Sequence, residues 1–163
     1  GRKFQKPTVF ENHTVWNNIA LALKAPRSTF ATLLHETTAE ERARIEHILH
    51  TIRMTHLAGE PAANLSHGQK QWLEIGMLIS QDPVLLLVDE PAAGMTDAET
   101  AETARLLREI AQTHTVVVVE HDMDFIRDLD VKVTVMHEGS VLADGSLAHV
   151  SANPRVIEVY LGR

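Results

Sequence analysis

Cysteine is absent from the 163 residues, which excludes disulfides and any metal site built on thiolates. No uninterrupted apolar run approaches the roughly 20 residues that a membrane-spanning helix needs, and no signal-peptide pattern opens the chain. A basic excess is missing too: 15 Lys and Arg stand against 22 Asp and Glu, for a net charge of −7. Proteins that work by neutralising nucleic-acid phosphates are usually basic, so this balance argues against a nucleic-acid partner. There are no internal repeats and no low-complexity segment. What remains is a chain of ordinary charge content with 44% hydrophobic residues, enough to bury a core.

Periodicity divides the sequence near residue 81. Before it, the pattern is helical. Thr14 is placed to cap a segment with Val15, Ile19, Ala22 and Leu23 on one face; Thr38 with Glu40 and Glu41 opens a second, carrying Ile45, Ile48, Leu49 and Ile52. Ser66 opens a third, whose apolar stripe reads Trp72, Ile75 and Ile79. Pro26 and the Gly59-Glu60-Pro61 stretch break the helices apart.

After residue 81, strands alternate with helices. Residues 84–88 and 115–119 are continuous apolar runs, as expected of buried parallel strands covered on both faces. A helical pattern over 97–114, with Ala101, Ala104, Leu107 and Ile110, joins them into a βαβ unit. Val131, Val133 and Val135 then alternate with Lys132, Thr134 and Met136, Glu138-Gly139 turns the chain, and Val141-Leu142-Ala143 returns it, before two short helices.

Each apolar run ends in polar residues: Asp89-Glu90 after the first, Glu120-His121-Asp122 after the second. Parallel strands bring such ends to one edge of the sheet, where open α/β sheets bind ligands. An acidic pair with a histidine there points to a metal-assisted phosphoryl site; the plainer reading is that these groups solvate strand ends. Leu65-Ser66-His67-Gly68-Gln69 precedes the third helix, with Ser66 as its cap and Gly68 in the first turn. A helix start of this kind presents free N–H groups to an anion, and the glycine lets it come close.

Taken in order, these segments resemble the ATP-binding-cassette (ABC) ATPases. Leu65 to Gln69 resembles the signature motif, Leu85-Leu86-Leu87-Val88-Asp89-Glu90 the Walker B strand with its glutamate, Gly94-Met95-Thr96-Asp97 the D-loop, His121 the switch histidine and Gln5 the Q-loop glutamine. Phe4-Gln5-Lys6-Pro7-Thr8-Val9-Phe10, Val118-Val119-Glu120-His121-Asp122-Met123 and the ending from Asn153 to Gly162 are similar to ATP-binding subunits of branched-chain amino-acid importers. The run from Ser66 to Gly76 looks most like the urea-importer subunit.

The resemblance implies an α/β P-loop NTPase fold, truncated before its phosphate-binding loop. It divides into a Q-loop and helical subdomain over 1–81 and the C-terminal part of the mostly parallel core over 82–163. It implies ATP and Mg²⁺ as cofactors. Asp89 and Gln5 would hold the metal, Glu90 would act as general base, and His121 and Gln5 would orient the attacking water. Ser66, Gly68 and Gln69 would embrace ATP bound by a second ATP-binding subunit, with Asp97 at the seam. The further partners implied are transmembrane permease subunits, which would place the protein peripherally on the cytoplasmic face of the membrane, without direct membrane insertion.

Two departures stand out. His67 replaces one of the two signature glycines, its side chain expected to point away from phosphate. No G-x-x-x-x-G-K-[ST] occurs anywhere in the sequence, so the phosphate cradle and its lysine are expected upstream, and this chain alone is expected to be inactive. Two other readings stay open: a non-catalytic interaction fragment, and a soluble ABC ATPase acting on nucleic acid or ribosomes. His47, His50 and His56 read as a solvated face, and Trp16 and Trp72 as core.

Overall fold

The structure, a computed structural model, describes residues 8–23 and 37–161. It falls into two compact units, Gly1–Val119 and Glu120–Arg163.

In the first unit, helices α1 (Val15–Ala22), α2 (Ala39–Thr51) and α3 (His67–Ile79) pack together. Each begins at a residue whose hydroxyl satisfies an orphan N–H of the first turn: Thr14 for α1, Thr38 for α2, Ser66 for α3. At α2 and α3 the residue three positions into the helix, Glu41 or Gln69, bonds back to complete a capping box. Val15, Ile19, Ile45, Ile48, Leu49, Ile52 and Leu73 are buried and form the apolar contact surface.

The face of α3 differs from the sequence reading. Leu73, Ile75 and Gly76 are buried, whereas Trp72 and Ile79 are half-buried. Close packing at Gly76 decides this: a Cβ there would lie 2.7 Å from Ile52 Cδ1 and 2.9 Å from Ile19 Cδ1. The helix turns its slimmest position toward its neighbours, and a tryptophan does not fit the same face. Both tryptophans are instead half-buried and make polar or charged contacts. Trp72 donates its indole N–H to Thr103 at 2.8 Å, and the Arg42 guanidinium lies 5.9 Å from the Trp16 ring. His47, His50 and His56 are exposed.

The unit continues as β1 (Leu85–Asp89), α4 (Asp97–Ile110) and β2 (Thr115–Val119). β1 and β2 pair in parallel, Leu85 opposite Thr115 and Asp89 opposite Val119, so the βαβ unit forms as expected. α4 stops at Ile110, four residues earlier than the pattern suggested, because the Ile110 carbonyl accepts from both Thr113 and His114 and turns the chain into β2. Coverage of the strands is a second correction. Leu86 and Val88 are buried, but Leu87 is 68% exposed and Val119 59%. Among the described residues, one face of this ladder is covered and the other is left exposed.

In the second unit, Asp122 caps α5 (Met123–Leu129), its carboxylate accepting from the N–H groups of Asp124 and Phe125. β3 (Val133–His137) and β4 (Ser140–Gly145) form an antiparallel hairpin. Its turn residues Glu138 and Gly139 are both left-handed, at φ 46° and 76°. Ala143, Val150 and Val156 form a small core with Val133, Val135, Leu142 and Leu147. It lies beneath α6 (Leu147–Ser151) and α7 (Pro154–Leu161). No helix among the described residues is long and apolar enough to cross a membrane.

Candidate nucleotide site

The carboxyl end of β1 sets the first part of the site. Asp89 is exposed at the last rung of the ladder, opposite Val119. The next residue, Glu90, donates its N–H to the Val119 carbonyl at 2.8 Å and adopts φ 49°. A non-glycine residue in the left-handed region carries strain, and such strain gathers where a side chain must be aimed. The backbone then turns tightly: Ala93 bonds to Glu90 and Met95 to Ala92, with Gly94 at φ 73°. This turn delivers Thr96 to the cap of α4 and Asp97 to its first, exposed position.

The N-terminus of α3 sets the second part. Ser66 Oγ accepts from the Gln69 N–H at 3.2 Å, while Gln69 Oε1 accepts from the Ser66 N–H at 2.9 Å. Gly68 is buried in the first turn, and Ser66 and His67 are exposed. His67 points away from that turn: its Nε2 lies 3.1 Å from the Ala93 carbonyl, and its ring packs against Gly94. The two parts therefore touch. His67, Gln71 and Glu74 of α3 face Asp89, Glu90 and Gly94 across an open cleft of about 480 Å³.

A residue that the sequence reading passed over joins them further. Glu99, on the first turn of α4, accepts from the Thr96 N–H and hydroxyl through Oε2, each at 3.0 Å, and from the Ser66 hydroxyl through Oε1 at 3.2 Å. These bonds hold its carboxyl below the ordinary carboxylate value, Thr96 contributing most, and the nearby His67 adds to the effect. The Thr-x-x-Glu pattern at 96–99 is a legible capping box; its reach to Ser66, 33 residues away, is tertiary.

Asn18 was also missed. It is a buried polar side chain in α1, bonded to Phe10 through both its amide groups and to the Thr14 carbonyl. It pins the 8–14 loop, which in turn accepts bonds from residues just ahead of Ser66, from the Ala62 N–H at the His13 carbonyl and from the Ala63 N–H at the Glu11 carbonyl. Of the remaining expected residues, Gln5 lies outside the described residues. His121 belongs to the second unit, where its ring is exposed and its N–H donates to the Glu120 carboxylate at 2.9 Å.

The family model for "ABC transporter" matches residues 1–93, more than half of the chain. This chain belongs to the ABC transporter ATPase family. A second model, "Branched-chain amino acid ATP-binding cassette transporter", matches residues 140–163 of this ABC ATPase. Its relatives include the high-affinity branched-chain amino acid transport ATP-binding protein BraF of Pseudomonas aeruginosa, at 33% identity over 99% of this chain and 67% of that protein. LivG of Salmonella typhimurium, of the same description, is 34% identical over the same shares. The methionine import ATP-binding protein MetN of Mannheimia succiniciproducens is 30% identical over 95% of this chain and 43% of its own length. Among solved structures, MJ1267, an ATP-binding cassette of an ABC transporter, superposes with a TM-score of 0.79 at 26% identity, covering 98% of this chain and 67% of its own. The P-loop NTPase fold expected from the sequence is thereby established.

Proposed function

We propose that this chain forms the signature-bearing and Walker B part of the ATP-hydrolysing subunit of an importer for branched-chain amino acids or urea. The observation that carries it is the pairing of two features in one unit. A strained Glu90 follows an exposed Asp89 at the carboxyl edge of β1, and His67, beside the capped Ser66-to-Gln69 helix start, lines the same cleft as both. The family match and the importer relatives support the same reading. Urea rests on the likeness of residues 66–76 alone.

The residues present fit a magnesium nucleotide. Among the described residues no three carboxylates or histidines gather into a cation cage. Mg²⁺ asks for less: it takes one or two carboxylates and fills its octahedron with water and substrate phosphates. Asp89, exposed at the strand end, would supply the first and Gln5 a further oxygen. The ion, when bound, neutralises charge on the phosphates. Glu90 would take a proton from the attacking water, and His121 would orient that water. Ser66, Gly68 and Gln69 would receive the γ-phosphate of ATP held by a second ATP-binding subunit, with Asp97 at the seam between them.

The sequence carries no phosphate-binding loop, so turnover requires that loop from a segment beyond these 163 residues. On this reading the chain alone would bind partners without turning over ATP. The helical part would receive a cytoplasmic helix of the permease, placing the subunit on the cytoplasmic face of the membrane. The 8–14 loop supports this coupling, because it is bonded to the residues that lead into Ser66. Reconstitution of the full-length subunit with its permease tests the proposal. ATP hydrolysis stimulated by a branched-chain amino acid or by urea is the expected result. Hydrolysis stimulated by nucleic acid or ribosomes, with no response to either solute, contradicts it.

A further inference from the structure

We propose that Glu99 is a positioning residue of the signature site, holding the Ser66 hydroxyl proton until an arriving γ-phosphate takes it over. This rests on the reading of Ser66 as a nucleotide contact given above. The argument begins with a proton count. Ser66 Oγ has one proton to donate. One of its two lone pairs is engaged by the Gln69 N–H at 3.2 Å, and its single proton is directed to Glu99 Oε1 at 3.2 Å. The other carboxylate oxygen is held by Thr96, which fixes the direction in which Oε1 points.

Position makes the same case independently. Gly68 sits in the first turn of α3, and Glu99 lies against it. A Cβ at Gly68 would stand 2.7 Å from Glu99 Oε1 and 2.9 Å from its Cδ. A side chain at Gly68 would therefore oblige the Glu99 carboxylate to leave this position. A phosphate oxygen and Glu99 Oε1 cannot both hold the one Ser66 proton, and two like charges at that distance repel. Nucleotide engagement then works against the Ser66 to Glu99 bond. Release of Glu99 acts on the first turn of α4, where Asp97 sits beside the Thr96 cap. Glu99 thus sets how much ATP is needed before the signature closes on it.

ATP-driven association of the full-length subunit measures this, with melting temperature recorded for each variant. Glu99→Gln keeps an oxygen for the Thr96 cap and removes the charge. It should lower the ATP concentration for half-maximal association by about threefold, the scale of one exposed charge interaction. Glu99→Asp, which withdraws the carboxylate by one methylene, should move it in the same direction and serves if Glu99→Gln folds poorly. In a Ser66→Ala background the gain should vanish, because no proton is left to contest. A cap alone would change the melting temperature and leave the ATP dependence untouched. An unchanged or raised requirement in both Glu99 variants, or an equal gain with and without Ser66, overturns the inference while the functional reading stands. A wild-type subunit that never associates with ATP overturns both.

Discussion

The N–H of Glu90 donates to the carbonyl of Val119 at 2.8 Å, one residue beyond the last paired rung of the β1–β2 ladder. The bond extends the ladder by one step and holds Glu90 in the left-handed conformation, φ 49°. Backbone strain at this point serves to aim a side chain, because a relaxed residue would carry the strand straight on.

Removing the strain should therefore stabilise the protein at the expense of its chemistry. Glu90→Gly is expected to raise unfolding free energy by up to about 1 kcal/mol, since glycine adopts this conformation without a Cβ clash. Chemical denaturation of the two proteins checks it. A loss of stability would mean that contacts of the Glu90 side chain outweigh the strain of its backbone.

The helical part depends on one close approach. Gly76→Val should destabilise the protein by about 2 kcal/mol, because its Cβ alone would meet the buried Ile52 and Ile19 methyls at 2.7 and 2.9 Å. Thermal melts of the variant should show this. A melting temperature equal to the wild type would indicate that the three helices separate more readily than their packing implies.

Glu99 should give stability a pH dependence of known sign. Its carboxyl is held below the ordinary value of 4.5, through Thr96 first and then Ser66 and His67. A depressed folded-state value means stabilisation that is present above about pH 4.5 and fades as the pH falls through the folded-state value. The melting-temperature difference between wild type and Glu99→Gln should follow that course. A difference that grew on acidification would contradict the assignment.

Local features of this protein were legible in its sequence wherever one segment decided them. The caps Thr14, Thr38 and Ser66, the strand over 115–119 and the turn at Glu138-Gly139 stand where their patterns place them, and the first apolar strand lies one residue later, at Leu85–Asp89. Features set by a distant neighbour were not legible. The α3 face was misjudged because Gly76 looks like a weak helix residue until Ile19 and Ile52 are beside it. Leu87 and Val119 read as fully covered because an apolar run carries no mark of which layer the chain itself provides. Glu99 was readable as half of a capping box, but its bond to Ser66 exists only once α3 and α4 start side by side.

Hydrolysis by the Glu90→Gln variant of the full-length subunit tests the central claim most directly. The substitution keeps size and polarity and removes the group able to accept a proton. Turnover should fall by roughly 100-fold or more, the scale of a lost general base, while ATP still binds and draws two subunits into a stable complex. Turnover within a fewfold of the wild type would contradict the account and remove Glu90 from the role of base.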